Sequence, residues 1–315
     1  MMRVLVTGGS GYIGGRLLQR MSADSGVTVT VATRRPCTIT LSGIRTLTVD
    51  WAADDSICNA CRDQDVVMHL AAMNEPDSER DAKGALWSNG LATLALLAGA
   101  RASNVQRFVY MSTSKVFGAN PASVIDERSV PRPASNYAIT HRVAEDYVLA
   151  AHDKNEVEGV VLRLSNGLGA PADPKTNAWM LIANDLCRQA AGNQIVLRSS
   201  GLAWRNFIAM TDVVSALQHA LDMPREKLAD GLFHLGGAQS MRIWDLAARI
   251  ATRAELLFGR PIATERTAPA PGEQHALLDW RIDKFVSTGW RPAASINDEI
   301  DATLRICRDY FARAT

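Results

Sequence analysis

The chain has 315 residues, 47% of them hydrophobic and 21% charged, with a formal net charge of +1, which allows a large α/β core and gives no electrostatic case for nucleic acid or a membrane surface. Its five cysteines are an odd number without a disulfide-like framework and point to a reducing compartment. The chain starts directly on a strand-like run without a secretory leader, and no apolar stretch approaches the roughly 20 residues that span a bilayer, so a cytoplasmic location is expected.

In chain order, Arg3–Thr7 reads as a buried strand, Ile13–Ser22 as an amphipathic helix, Val27–Ala32 as a second strand and Arg45–Val49 as a third. Ser56–Arg62 reads as a short helix. Its Cys58 and Cys61 lack a second CxxC with which to hold zinc, so packing is the better reading and no metal is expected. Val66–Leu70, Phe108–Ser112 and Val160–Leu164 are further strands, and Gly90–Ala102 and Ala138–His152 further helices. Apolar strand runs alternating with helices predict a Rossmann-like, doubly wound α/β fold with a parallel sheet covered on both faces. After about Asn166 the pattern loosens, and Ala268–Gly272 reads as a loop. The expected division is a dinucleotide-binding domain over residues 1–165, with a return segment at about 202–236. A smaller, discontinuous α/β substrate lobe then comprises 166–201 and 237–315.

Gly8, Gly11 and Gly14 lie between the first strand and the first helix. Glycines there permit a tight turn and close approach of backbone to a pyrophosphate, and the helix start offers unpaired N–H groups. The second strand ends Val31-Ala32-Thr33-Arg34-Arg35. A carboxylate at this point would hold a ribose 2′-hydroxyl, whereas arginines suit a 2′-phosphate, so NADP(H) is favoured over NAD(H). The alternative is a pair of solvated arginines.

Further landmarks follow: Asp50-Trp51, then Val67 to Ala72, Tyr110 to Gly118, Tyr137, Arg163 to Gly167, Trp204 to Ile208, Thr211 to Val214, and Thr288 to Pro292. In order and spacing the chain resembles the extended short-chain dehydrogenase/reductases, a branch with nucleotide-sugar epimerases, dehydratases and ketoreductases. The resemblance covers nearly the whole chain. It implies cofactor contacts from Gly8, Gly11, Tyr12, Ile13, Gly14, Arg34, Arg35, Asp50, Trp51, Leu70, Ala71 and Ala72, and from Tyr137 and His141. It implies Tyr137 as general acid/base, Thr113 bonded to the same sugar oxygen, and a substrate pocket with Asn166 and Arg205. Asn74, Asn177 and Trp179 are further pocket residues to test.

Three departures from the family stand out. Its members carry lysine four residues after the tyrosine, on the same helix face; here that residue is His141. A free tyrosine, with pKa near 10, needs a nearby positive charge to act as a base at neutral pH. His141 can bond a ribose hydroxyl but is expected to be only partly protonated at pH 7. Lys115, two residues past Thr113, is the other source of charge, and a packing His141 and a solvated Lys115 both stay open. Next, Ser114-Lys115 stand where 4,6-dehydratases have Asp-Glu, which argues against dehydration. Finally, Ala270-Pro271 replace an arginine that relatives carry before Gly272-Glu273, with Arg266 the nearest substitute. The expected protein is an NADP(H)-dependent ketoreductase acting on a nucleotide-activated sugar. An epimerase with the same site is the runner-up, and a non-catalytic NADP-binding sensor or protein-interaction relative the alternative of another kind. A homodimer is expected through Gly90–Ala102 and Ala138–His152, the first with Ala92, Leu94, Ala95, Ala98 and Gly99 on its surface.

Overall fold

Seven parallel strands form the central sheet of the computed structural model, which describes residues 1–118 and 123–311. The first part of the chain lays down β1 (Met2–Thr7), α1 (Tyr12–Met21), β2 (Val27–Thr33), β3 (Ile44–Thr48), α2 (Asp54–Cys61) and β4 (Val66–His69). The short helices α3 (Glu75–Arg80) and α4 (Ala82–Ala85) follow, then a π-helical turn over Leu86–Leu91 leading into α5 (Ala92–Ala102). Next come β5 (Arg107–Thr113), β6 (Val124–Ile125), α6 (Asn136–Asp153) and β7 (Glu158–Leu164). The remainder comprises β8 (Asn166–Leu168), α7 (Ile182–Ala191), β9 (Gln194–Leu197), β10 (Trp204–Ala209), α8 (Met210–Asp222) and β11 (Leu232–Leu235). It ends with β12 (Ser240–Arg242), α9 (Ile243–Phe258), β13 (Ala263–Arg266), β14 (Asp279–Trp280), α10 (Asp283–Ser287) and α11 (Ile296–Phe311).

The sheet order is β3-β2-β1-β4-β5-β7-β11. Strand order reverses between β1 and β4, so the loops leaving those strands part and open a crevice at their carboxyl ends. Side chains alternate across each strand. Val4, Val6, Val31 and Met68 face one core with α1 and α8, while Leu5, Val67, Phe108 and Tyr110 face the other with α2, α5 and α6. A third core gathers Leu186, Ile195, Phe207, Ile250 and Leu304 from the smaller lobe. No helix of the described residues is long and apolar enough to cross a membrane.

Two boundaries differ from the expected division. Trp204–Ala209 does not return to the main sheet but pairs with β8 and β12; only α8 and β11 return. The C-terminal stretch is also split. Phe285 of α10 packs on Phe233 and Trp290 and joins the main core, because an apolar surface beside β11 would otherwise face water.

Buried ion pairs hold the layers in register. Arg107 bonds Glu158 at 2.6 Å and donates to the carbonyls of Ala220 and Leu221, the open C-terminal end of α8. Arg16 of α1 reaches Glu299 of α11 at 2.8 Å and so ties the two halves together. Glu145 of α6, fully buried, accepts from Arg163 Nε at 2.9 Å and Nη2 at 2.8 Å, and from the Ser112 hydroxyl. This bidentate pair pins α6 to β5 and β7 about two turns from Tyr137.

Candidate active site

A cleft of about 640 Å³ opens at the carboxyl ends of β1, β2 and β4, lined by residues 8–11, 32–37 and 69–72 together with Trp51, Trp87, Ser88 and Ala92. Its walls fit a dinucleotide. Gly8 has φ +72°, and a Cβ there would lie 2.7 Å from the Ala71 nitrogen; a Cβ on Gly14 would strike the Gly8 carbonyl oxygen. Glycine at both places lets the turn close on the start of α1, whose first N–H groups have no intrahelical acceptor. The buried Trp51 indole N–H has no partner among the described residues. Arg34 and Arg35 stand exposed on the cleft wall. Leu70, Ala71 and Ala72 form the opposite wall.

Three expected cofactor side chains point elsewhere. The Tyr12 hydroxyl donates to the Gly169 carbonyl at 2.7 Å, and Ile13 packs on the main core, so these two offer only backbone amides. Asp50 is exposed and does not line the cleft; its carboxylate accepts from the Ala52 N–H at 3.0 Å and so closes its own turn.

Tyr137 sits in the first turn of α6, a helix capped by the Ser135 hydroxyl, which accepts from the Ala138 N–H at 3.2 Å. Desolvation and the nearby Glu75 carboxylate push the phenol up to about 12, against the opposing hydrogen bond with Thr113. His141 is 2% exposed. Its ring stands edge-on to the Tyr137 ring, with centroids 4.4 Å apart, and its Nδ1 lies 2.7 Å from the Tyr110 hydroxyl oxygen. Burial, with His69 adding, pushes the imidazole down to about 3. The partial charge expected of His141 near pH 7 is therefore disfavoured, because its pocket desolvates the cation. Lys115 does not supply it either. Its ammonium is half exposed and lies 3.2 Å from Glu75, which matches its charge.

A second cleft, of about 280 Å³, is lined by Glu75, Ser114, Lys115, Phe117, Ser135, Ser165, Asn166, Arg205, Asn206 and Trp280, among others. Of the expected substrate residues, Asn166 and Arg205 converge here, and Thr113 directly precedes Ser114. Asn74 does not line it: its side chain caps α3, accepting from the Asp77 N–H at 2.9 Å. The next residue, Glu75, enters instead. Asn177 is exposed and lines neither cleft, because the loop that carries it turns outward. Trp179 borders a third opening, of about 880 Å³, with Met180, Arg188, Arg198 and Ile243. Arg266 is stacked 4.5 Å over Trp244 and donates to the Ser200 carbonyl, so it is spent on packing. Glu75 had a readable signal, as the first acidic residue after a strand end at the crevice. Trp280 had none, since it arrives from a segment more than a hundred residues past Tyr137 in sequence. Among the described residues no three metal-ligating side chains gather.

Parallel order with its reversal at β1/β4, a glycine turn under a nucleotide-sized cleft, and a tyrosine beside a threonine define an extended short-chain dehydrogenase/reductase architecture. The chain belongs to the NAD dependent epimerase/dehydratase family, whose model matches residues 4–236. It is 27% identical over 268 residues to a dTDP-glucose 4,6-dehydratase of Streptomyces niveus, covering 79% of this chain and 76% of that one. Its fold is that of the UDP-glucuronic acid 4-epimerase from Bacillus cereus, solved in complex with UDP-glucuronic acid and NAD. The TM-score is 0.80 at 22% identity, over 98% of this chain and 99% of the other. RMD from Pseudomonas aeruginosa, complexed with NADPH, superimposes with a TM-score of 0.77 at 22% identity, over 98% and 99% of the two chains.

Proposed function

We propose that the protein is an NADPH-dependent ketoreductase acting on a sugar carbon of a nucleotide-activated sugar. One observation carries this reading: Tyr137 has the buried His141 ring edge-on against it at 4.4 Å where a lysine is expected, and its phenol is pushed up to about 12. Such a tyrosine stays protonated at neutral pH, the form that reduction uses, and little phenolate is present to act as the base that oxidation needs. When bound, the cofactor supplies the hydride. Tyr137 then delivers its proton to the carbonyl oxygen, which Thr113 holds by a second hydrogen bond. Arg205 and Asn166, which line the same cleft, would meet the diphosphate-bearing end of the substrate. Glu75 brings one carboxylate, paired with Lys115, where dehydration would need two acid/base groups.

The epimerase reading keeps its place because relatives of this fold carry that activity in their names. Stoichiometry separates the two. NADPH is supplied with 4-keto nucleotide sugars, and in parallel UDP- and dTDP-hexoses are supplied with NAD(P)⁺. One NADPH oxidised per sugar reduced is expected; epimer formation without net NADPH consumption would overturn the assignment. Binding of NADPH with no turnover of any sugar would instead favour the sensor.

Arg34 and Arg35 make no hydrogen bond or ion pair within the described residues, which leaves both free for a 2′-phosphate. The Arg34→Ala, Arg35→Ala double variant should weaken NADPH binding by about 10- to 100-fold, as loss of charge-assisted hydrogen bonds predicts, and leave NADH nearly untouched. Calorimetric titration of both cofactors checks this, and an unchanged preference would refute the NADP(H) assignment.

For assembly we infer a homodimer. Leu86, Trp87 and Leu91 on the approach to α5, with Ile139 and Tyr147 of α6, are exposed large apolar side chains. The contact surface is not quite the one expected, since Ala92 and Gly99 are buried in the subunit and Gly99 packs on Ile57 of α2. Light scattering at micromolar concentration should give twice the chain mass; a monomer would contradict it.

A further inference from the structure

The second cleft is lined by three charged side chains, Glu75, Lys115 and Arg205, and they are not equally engaged. Arg205 donates to the Trp204 carbonyl at 3.0 Å and, among the described residues, pairs with no carboxylate. Lys115 is matched. Its Nζ lies 3.2 Å from one Glu75 carboxylate oxygen and 3.3 Å from the other. The cleft therefore holds one cation free to meet an anion, and one ion pair whose charges already sum to zero.

That pair stands beside the reacting position. The Lys115 N–H donates to the Thr113 hydroxyl oxygen at 3.2 Å, and Thr113 is hydrogen-bonded to Tyr137. The Glu75 carboxylate is also near enough to Tyr137 to raise its phenol. With Tyr137 and Thr113 on the oxygen of the reacting carbon, the substituents of the neighbouring sugar carbons come against Glu75 and Lys115.

A sugar hydroxyl suits such a pair, because it accepts from the ammonium or donates to the carboxylate and leaves the sum of charges at zero. A sugar carboxylate does not. It would share one ammonium with Glu75, setting two negative charges against one positive in a partly closed cleft. We propose that Glu75 and Lys115 are specificity-determining residues: together they admit a neutral hexose and turn away a hexuronate, so the substrate carries its negative charge on the diphosphate and none on the sugar. This rests on the nucleotide-sugar reading above and narrows it. The Lys115 and Glu75 side chains are 49% and 42% exposed, so water screens part of the repulsion and the discrimination is about 10- to 100-fold.

UDP-glucose and UDP-glucuronic acid differ only at C6, and with NADPH bound neither has a hydride acceptor. Calorimetric titration of the NADPH-loaded protein with each therefore reads binding alone. The parent should bind UDP-glucose about 10- to 100-fold more tightly than UDP-glucuronic acid. Glu75→Gln frees the Lys115 ammonium and should erase or reverse that ratio, whereas Lys115→Met leaves Glu75 unmatched and should widen it. If Lys115 instead recruits a sugar carboxylate, Lys115→Met weakens UDP-glucuronic acid and spares UDP-glucose, the opposite sign. That result, equal or tighter binding of UDP-glucuronic acid by the parent, or one ratio shared by all three proteins would overturn the proposal. If NADPH binds and neither sugar does, the nucleotide-sugar reading itself falls and takes this inference with it.

Discussion

Tyr137→Phe should lower turnover by about 10²- to 10⁴-fold, the usual contribution of a positioned general acid, and change NADPH affinity by no more than about threefold. The hydroxyl is the only group lost, and the edge-on contact of the ring with His141 is kept. The pH dependence gives the stronger check. Reduction needs the protonated phenol, which lies up to about 12, and His141, down to about 3, stays neutral across the whole working range. The rate of the reductive step should therefore be flat from about pH 6 to 9. Oxidation needs the phenolate and should rise about tenfold per pH unit over the same span, because that fraction grows tenfold per unit below the pKa. His141→Lys adds the charge that is missing, lowers the phenol's pKa and should raise the oxidative rate at pH 8 most. A reductive rate that drops with a midpoint near 7 would show that a charged histidine governs the step. Full activity in Tyr137→Phe would end the assignment of the proton donor altogether.

Glu145→Ala should cost about 3–5 kcal/mol of stability, because it strands the Arg163 guanidinium, 1% exposed, in the core. A domain's whole margin is about 5–15 kcal/mol, so this is a large share of it. The Ser112 hydroxyl loses its acceptor as well. The loss measures the uncompensated charge rather than the worth of the pair. Accordingly Glu145→Leu combined with Arg163→Met should recover most of it, since two apolar side chains leave no buried charge and only the Ser112 hydroxyl without its acceptor. Urea unfolding followed by tryptophan fluorescence reads both, with the midpoint falling in the single variant and the slope unchanged. Additive single and double effects would mean that the pair is not coupled. Activity should fall alongside stability, because the same carboxylate sets the position of α6 and hence of Tyr137.

Much of this molecule was legible before any coordinates. Six of the seven main-sheet strands, all but β11, read as short runs between turn residues, and their alternation with helices leaves few arrangements other than a doubly wound sheet. The glycine turn was legible too, because a strand–turn–helix that closes this tightly tolerates no Cβ at Gly8 or Gly14. Boundaries were right to within a turn: α6 begins two residues before the expected start, at the Ser135 cap. In the later half the reading weakened, since β8, β12 and β14 are two or three residues long and carry no period of their own.

What the sequence by itself determined was the fold of the cofactor half, the glycine turn after the first strand, and the residue types standing at each landmark. Only the tertiary structure decided what those residues are. His141 is held neutral because α6 buries it against Tyr110, and depth of burial is not a local property of the chain. Lys115 is neutralised by Glu75 from another loop, and Asn74 is turned from a pocket residue into a helix cap that delivers Glu75 to the cleft. Local spacing specifies backbone conformation, because steric and hydrogen-bond constraints act over a few residues. Charge state and convergence depend on through-space desolvation and contact between segments far apart in sequence, so they exist only once the layers have packed.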